Sequence, residues 1–425
     1  MDFDIVSVKA LQVIDSRGNP TVEVVVVTEG GGVGKAIAPA GASRGKLEAI
    51  DLRDGGKAYG GMGVTKAVEA VNKYIAPAIE GMDSSRYREV DRKIIEVDGT
   101  PNKSRLGGNA TTATSLAVIN AAADTAGIPL FEFLGGRRAR TLPTPMMNII
   151  NGGAHAGNEL SIQEFMIVPV GADKFSEALR IAIEVYKELR KYLKSKYGAL
   201  AINVGDEGGF APPMKLTREA LDALVNAIKS AGYVPGTDVV LAIDAAASQF
   251  FRNGKYLIDG KELEPSELLE MYVELVNEYP IKSIEDPFSE DQPEMFKELR
   301  SKLGGKAVII ADDLTVTRLD RVSELFGNEC FDGVIVKINQ VGTFSEAEDV
   351  IRFMLRRGGR AIISHRSGET EDVSIAHIAV AYETGLIKTG APARGERTAK
   401  YNELLRIEDY LGSDAEFLGL KSILR

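Results

Sequence analysis

The chain has 425 residues, 44% hydrophobic and 26% charged, which excludes a disordered or fibrous protein and provides apolar material for two domains. Its 51 Lys and Arg against 61 Asp and Glu leave a net charge of −10, which argues against a nucleic-acid partner held through its phosphates. A single cysteine, Cys330, excludes an internal disulfide; no apolar run approaches the roughly 20 residues of a membrane span, and Met1-Asp2-Phe3-Asp4 lacks a secretory pattern, so a cytoplasmic protein without membrane contact is expected.

Residues 6–13 and 21–28 are β-branched runs on either side of Asp15-Ser16-Arg17-Gly18-Asn19-Pro20, whose residue types favour a turn, so the chain is predicted to open with a hairpin. Residues 33–38 add a third strand. The glycines over 30–34 lack a following Lys-Ser/Thr and read as a tight turn, not a phosphate loop. Asp83-Ser84 can cap a helix ending near Asp98-Gly99, and an Ala-rich helix from about Asn109 is stopped by Gly127 with Pro129 beyond. Together these predict a smaller α+β domain over residues 1–130.

Past Gly135-Gly136 and Pro143-Thr144-Pro145, apolar runs alternate with helical patterns; Phe175, Leu179, Ile183, Tyr186, Leu189 and Leu193 follow the 3.6 period. Such alternation predicts an α/β domain over residues 140–425, with parallel strands wrapped by helices. A charged or polar group stands at the end of each apolar run. Asp244 follows 239–243, Glu285-Asp286 follows 281–284, and Asp312-Asp313 follows 308–311; Lys337 follows 334–336, His365-Arg366-Ser367 follows 361–364, and Lys388 follows 386–387. Each interval has room for a helical crossover, and in a (β/α)8-type barrel all these side chains would meet at one mouth.

Three carboxylates at successive strand ends, Asp244, Glu285 and Asp312, need a compensating cation, and hard oxygen ligands in that number suit Mg²⁺. Singly, each could be a helix cap; three beside three cations favour a site. Lys337, Arg366 and Lys388 make the other half of the mouth positive, which suits a small anionic substrate such as a carboxylate carrying a phosphate. Glu164, in Gln163-Glu164-Phe165, and Glu207, in Gly205-Asp206-Glu207-Gly208-Gly209, add two carboxylates. Paired acids in a closed site push one pKa up, as a general acid at neutral pH requires. His155 lies in a glycine-rich stretch suited to a mobile loop, whereas His377 sits in an apolar helical pattern and reads as structural.

The stretch Asp15-Ser16-Arg17-Gly18-Asn19-Pro20-Thr21-Val22-Glu23, with residues 148–156, 205–210 and 364–372, resembles the signatures of the enolase family, in compatible order from about residue 6 to about 412. The resemblance implies the enolase variant of the barrel, whose first two strands form a β-hairpin, and this suits the short interval between Met146-Met147 and Phe165-Met166. It further implies reversible dehydration of 2-phosphoglycerate to phosphoenolpyruvate with two Mg²⁺ ions per site. Carried over residue by residue, Asp244, Glu285 and Asp312 match the ligands of the first ion, and Ser43 matches a lid-loop serine that helps hold the second. Lys337 matches the base at C2 and Glu207 the acid at the C3 hydroxyl, with Glu164 its neighbour. Lys388 would meet the substrate carboxylate, Arg366 and Ser367 the phosphate; His155 would close over the site and His365 stand at or behind the substrate. Lys337 must be neutral to act, so its pKa is expected to fall from ~10.4, pushed down by the two metal ions and by the nearby Lys388 and Arg366.

Ala40, Arg44, Gln249 and Gly395 depart from the family's usual Ser, Thr, Glu and Ser, which bears on loop closure and packing. Members are dimers or octamers, so a homo-oligomer is expected. Two rivals stand beside this reading: a racemase or cycloisomerase of the same superfamily, and a non-catalytic binding protein on the same fold. Glu207 and the Arg366-Ser367 pair argue against the first, Lys337 with Glu207 against the second.

Overall fold

The computed structural model describes residues 2–424 apart from Ser43, Arg44 and Lys46, and for His155 the backbone only. Strands β1 (Ile5–Ile14) and β2 (Pro20–Thr28) pair antiparallel, with Ile14 opposite Pro20, and β3 (Val33–Ile37) lies on the far edge of β2. The turn between β1 and β2 follows from its residue types: Asp15 Oδ1 accepts the N–H groups of Arg17 and Asn19, each at 2.9 Å. Val22, Val24 and Val26 alternate into the core and are fully buried.

Helix α1 (Tyr87–Asp98) follows a turn capped by the Asp83 side chain and ends on Gly99 in the left-handed conformation. Helix α2 (Gly108–Ala126) packs on β2 and β3. Its face is mostly Ala and Thr, which lets the sheet approach closely. The contact is tightest at Gly34, where a Cβ would lie 2.1 Å from the Ala117 carbonyl oxygen and 2.2 Å from the Ala121 nitrogen.

The second part of the chain is a closed eight-stranded barrel. Its strands are β4 (Thr144–Asn151), β5 (Glu164–Pro169), β6 (Val239–Asp244), β7 (Ile281–Glu285), β8 (Val308–Ala311), β9 (Gly333–Val336), β10 (Arg360–Ser364) and β11 (Leu386–Lys388). Strand β5 is antiparallel to both neighbours, and every other pair, including β11 with β4, is parallel. The interval between β4 and β5 holds a single 3-10 turn (Gly153–His155) and a loop, whereas helices α3 (Phe175–Tyr197) and α4 (Thr217–Ser230) both lie between β5 and β6. With β5 reversed, its first residue, Glu164, stands at the mouth where the other strands present their last. The barrel floor is packed by Met166, Val168, Val240, Ile310, Ile335 and Ile423.

This packing fixes the size of residue 34. The variant Gly34→Ala should lose about 1–3 kcal/mol of stability, the usual scale of overpacking against atoms that cannot move away. Equilibrium denaturant unfolding measures it, and an unchanged midpoint would mean that β3 can lift from α2 without cost.

Candidate functional site

At the barrel mouth the register sets Asn151, Glu164, Asp244 and Glu285 side by side on β4 to β7. Lys388 reaches across from β11 into this row. Its Nζ lies 3.0 Å from Asp244 Oδ2, 2.8 and 2.9 Å from the two Glu285 oxygens and 3.2 Å from Glu164 Oε2. All four side chains are buried, and burial alone would discharge the lysine, yet Asp244, Glu164 and Glu285 hold its pKa well above the ordinary value.

One strand further on, Asp312 forms an ion pair with Lys337 through Oδ2 and accepts Gln340 Nε2 at 3.1 Å through Oδ1. At Lys337 the protein's own groups oppose one another. Burial, Arg366 and Lys388 push its pKa down, but the Asp312 charge outweighs them and the net shift is upward. Asp286 fixes this corner: its two oxygens accept the Asp312 N–H at 2.9 Å and the Asp313 N–H at 2.7 Å. Among the described residues of this region, Asp286, Asp312 and Asp313 are the carboxylates whose oxygens all lie within 4.8 Å of one another. Burial and the Asp312 charge push Asp313 up to about 7.

Glu207 sits in a loop whose Gly208 has φ +82, with the Ala393 oxygen 2.7 Å from where a Cβ would stand, so glycine is required there. Glu207 Oε2 accepts Asn148 Nδ2 at 2.9 Å. The Glu164 pKa is raised well above normal, first by burial and then by the Glu207 charge.

Arg366 donates to Glu48 Oε2 at 3.0 Å, to Glu48 Oε1 at 3.3 Å and to Asn339 Oδ1 at 2.9 Å. Upstream of Glu48, Gly41 and Ala42 line the cleft next to Ala40, which exchanges two backbone hydrogen bonds of 2.8 Å with Gly368. His365 lies between Arg397 and Glu207, with Nε2 3.6 Å from Glu207 Oε2. Burial pushes its pKa well below normal, and Arg397, Lys388 and Lys337 together add to this against Glu207.

Glu164, Glu207, Asp244, Asp312, Lys337, His365, Arg366, Ser367 and Lys388 thus line one cleft, and Lys388 also holds Glu285. Ser43 and the His155 side chain lie outside the described residues; the backbone next to His155 reaches the rim, where Ala154 N–H donates to Gln249 Oε1 at 3.3 Å. Asn148, Glu48, Asn339, Gln340 and Arg397 are parts of the site that motif reading does not single out. Gln163 could have been found from its place beside Glu164; its Nε2 is 3.5 Å from Asp244 Oδ2.

The donor set fits a hard divalent cation. Asp244, Glu285 and Asp312 offer only carboxylate oxygens, and the Lys337 and Lys388 ammonium groups are among their partners, so positive charge already stands beside the ligand oxygens.

Family models match the chain along most of its length: an enolase N-terminal domain over residues 5–134 and an enolase C-terminal TIM barrel domain over residues 139–425. The chain is 56% identical to the enolase of Aeropyrum pernix over 98% of its own length and 97% of that protein. It is 55% identical to the enolase of Methanocaldococcus jannaschii, covering 96% of each. Against the enolase of Thermococcus kodakarensis the identity is 53%, over 99% of this chain and 98% of the other.

The buried His365 generates a pH prediction. A histidine whose pKa is depressed in the fold contributes stability that is present above its unfolded pKa and is lost as pH falls, because unfolding then takes up a proton. Between pH 7.5 and 5.5 the wild-type protein should lose about 1.4 kcal/mol more stability than His365→Gln, given an unfolded pKa of ~6.5. Parallel stability curves for the two proteins would show that His365 is charged in the fold.

Proposed function

The chain belongs to the enolase family, and from that footing we infer which of its residues carries each part of the reaction. That reaction is the reversible dehydration of 2-phosphoglycerate to phosphoenolpyruvate, a hydro-lyase step of glycolysis. The observation that supports the assignments best is that one cleft holds strand-end carboxylates beside Lys337, Arg366 and Lys388, a match to a substrate with both carboxylate and phosphate. The racemase-like alternative is not favoured, since the relatives at 53–56% identity are all named enolases.

The family works with a divalent ion; our reading is Mg²⁺, two per site, with Asp244, Glu285 and Asp312 on the first and Ser43 toward the second. When bound, the ions supply charge that stabilises the substrate carboxylate as C2 loses its proton. Lys337 Nζ is the group that takes this proton. The Asp312 charge holds it protonated, and an ion held by Asp312 would weaken that pull.

Lys388 leaves Asp244 and Glu285 to meet the substrate carboxylate. Arg366 exchanges Glu48 for the phosphate, with Ser367 beside it, so phosphate binding and the position of Glu48 draw on the same guanidinium. Glu207 gives the proton that lets the C3 hydroxyl leave as water, Glu164 sits beside it, and His155 closes the cleft. His365 stands behind the reacting carbons.

The wider reading is a cytoplasmic homo-oligomer, dimer or octamer, with an N-terminal domain over residues 1–130 and the catalytic barrel over 140–425. Among the described residues no helix is long and apolar enough to cross a membrane.

Two experiments test the assignments. Activity should vanish in chelator-treated protein and return with Mg²⁺, and Asp312→Asn should raise the Mg²⁺ concentration for half-activity by about 10-fold or more. An unshifted Mg²⁺ dependence would remove Asp312 from the ligand set. In D₂O, Lys337→Ala should abolish both dehydration and exchange of the C2 proton, whereas Glu207→Gln should keep exchange while dehydration falls by about 10²–10⁴. Normal exchange in Lys337→Ala, read by NMR, would place the base elsewhere.

A further inference from the structure

We propose that Arg397 fixes the tautomer of His365, placing the ring proton on Nε2 so that the imidazole faces Glu207 as a hydrogen-bond donor and never as an acceptor. Arg397 lies in the helix Gly395–Leu411 and its side chain is fully buried. Its guanidinium holds the segment after β10 by backbone oxygens: Nη1 donates to Arg366 O at 2.6 Å, and Nη2 to Ser367 O at 2.6 Å and Asp206 O at 3.0 Å. The same Nη1 lies 2.6 Å from His365 Nδ1.

A guanidinium has donors only and keeps its charge, so a contact this short requires Nδ1 to be the acceptor. A proton on Nδ1 would set N–H against N–H. The single proton of the neutral ring therefore sits on Nε2. That atom has no hydrogen-bond partner in the structure and is aimed into the cleft, with Glu207 Oε2 3.6 Å away. The ring has little room to turn elsewhere: at Gly390 a Cβ would lie 3.2 Å from His365 Cε1 and 2.9 Å from Arg397 Cδ.

The consequence for catalysis rests on the acid role given to Glu207 above. Glu207 Oε2 already accepts Asn148 Nδ2, and the Nε2–H of His365 faces the same oxygen, so a proton carried by Glu207 belongs on Oε1. When Glu207 releases that proton to the departing hydroxyl, the carboxylate left behind has two N–H donors directed at Oε2. His365 is thus not the acid, since loss of its Nε2 proton would leave an imidazolate. Arg397 acts through His365 and is a positioning residue.

The imidazole ¹⁵N resonances of His365, assigned by their loss in His365→Gln, decide the matter in the wild-type protein at neutral pH. The expected pattern is a protonated Nε2 and a bare Nδ1. A proton on Nδ1, or a doubly protonated ring, overturns the proposal whatever happens to the variants. Arg397→Lys, which keeps a cationic donor, should preserve the pattern. Arg397→Met should lose it and lower kcat by about tenfold or more. A folded Arg397→Met protein with the wild-type tautomer also overturns the proposal. The tautomer reading and the acid role fail separately: normal dehydration in Glu207→Gln removes the catalytic consequence and leaves the ¹⁵N pattern unaffected.

Discussion

Lys388 Nζ is within 2.8–3.2 Å of carboxylate oxygens from three adjacent strands, and the organisation of the mouth turns on that contact. Burying Glu164, Asp244 and Glu285 together costs several kcal/mol per charge unless a cation is held among them. The lysine and the proton that burial favours on Glu164 provide the balance within the protein itself. The same logic repeats at Asp312 with Lys337 and at Glu48 with Arg366. Each cation thought to act on the substrate therefore has an internal carboxylate partner, and ligand binding is an exchange of partners within one charge-balanced cleft. Exchange of this kind limits the electrostatic penalty of filling the site and ties Glu48 to the phosphate position.

The strand-end charges were legible in the sequence because chain order writes them plainly: an apolar run followed by a charge, repeated at intervals that leave room for a helix. Glu164 breaks the pattern, preceding its run where the others follow theirs, and the reversed direction of β5 explains why. The hairpin turn at Asp15 and the stop at Gly127 were legible for local reasons, since the side chain or the glycine itself supplies the geometry.

What could not be read were partners brought from far along the chain. Glu48 meets Arg366 across 318 positions, and Arg397 meets His365 across 32, from a helix whose sequence gives no catalytic signal. The upward pull of Asp312 on the Lys337 pKa was illegible for the same reason. The cations that lower it were visible as neighbouring strand ends, but the distance to Asp312 that decides the sign exists only in three dimensions.

The parallel closure of β11 onto β4, with Pro145 opposite Ile387, has a consequence in time. A barrel emerging from the ribosome must wait for its eighth strand before its sheet has no open edge, and the pairing that closes it is among the most distant in the sequence. The same strand brings Lys388. Until it docks, Glu164, Asp244 and Glu285 have been synthesised without the ammonium that balances them, so carboxylates must stay hydrated or protonated in the nascent chain. The strand that closes the sheet is thus also the one that carries the ammonium for these three carboxylates.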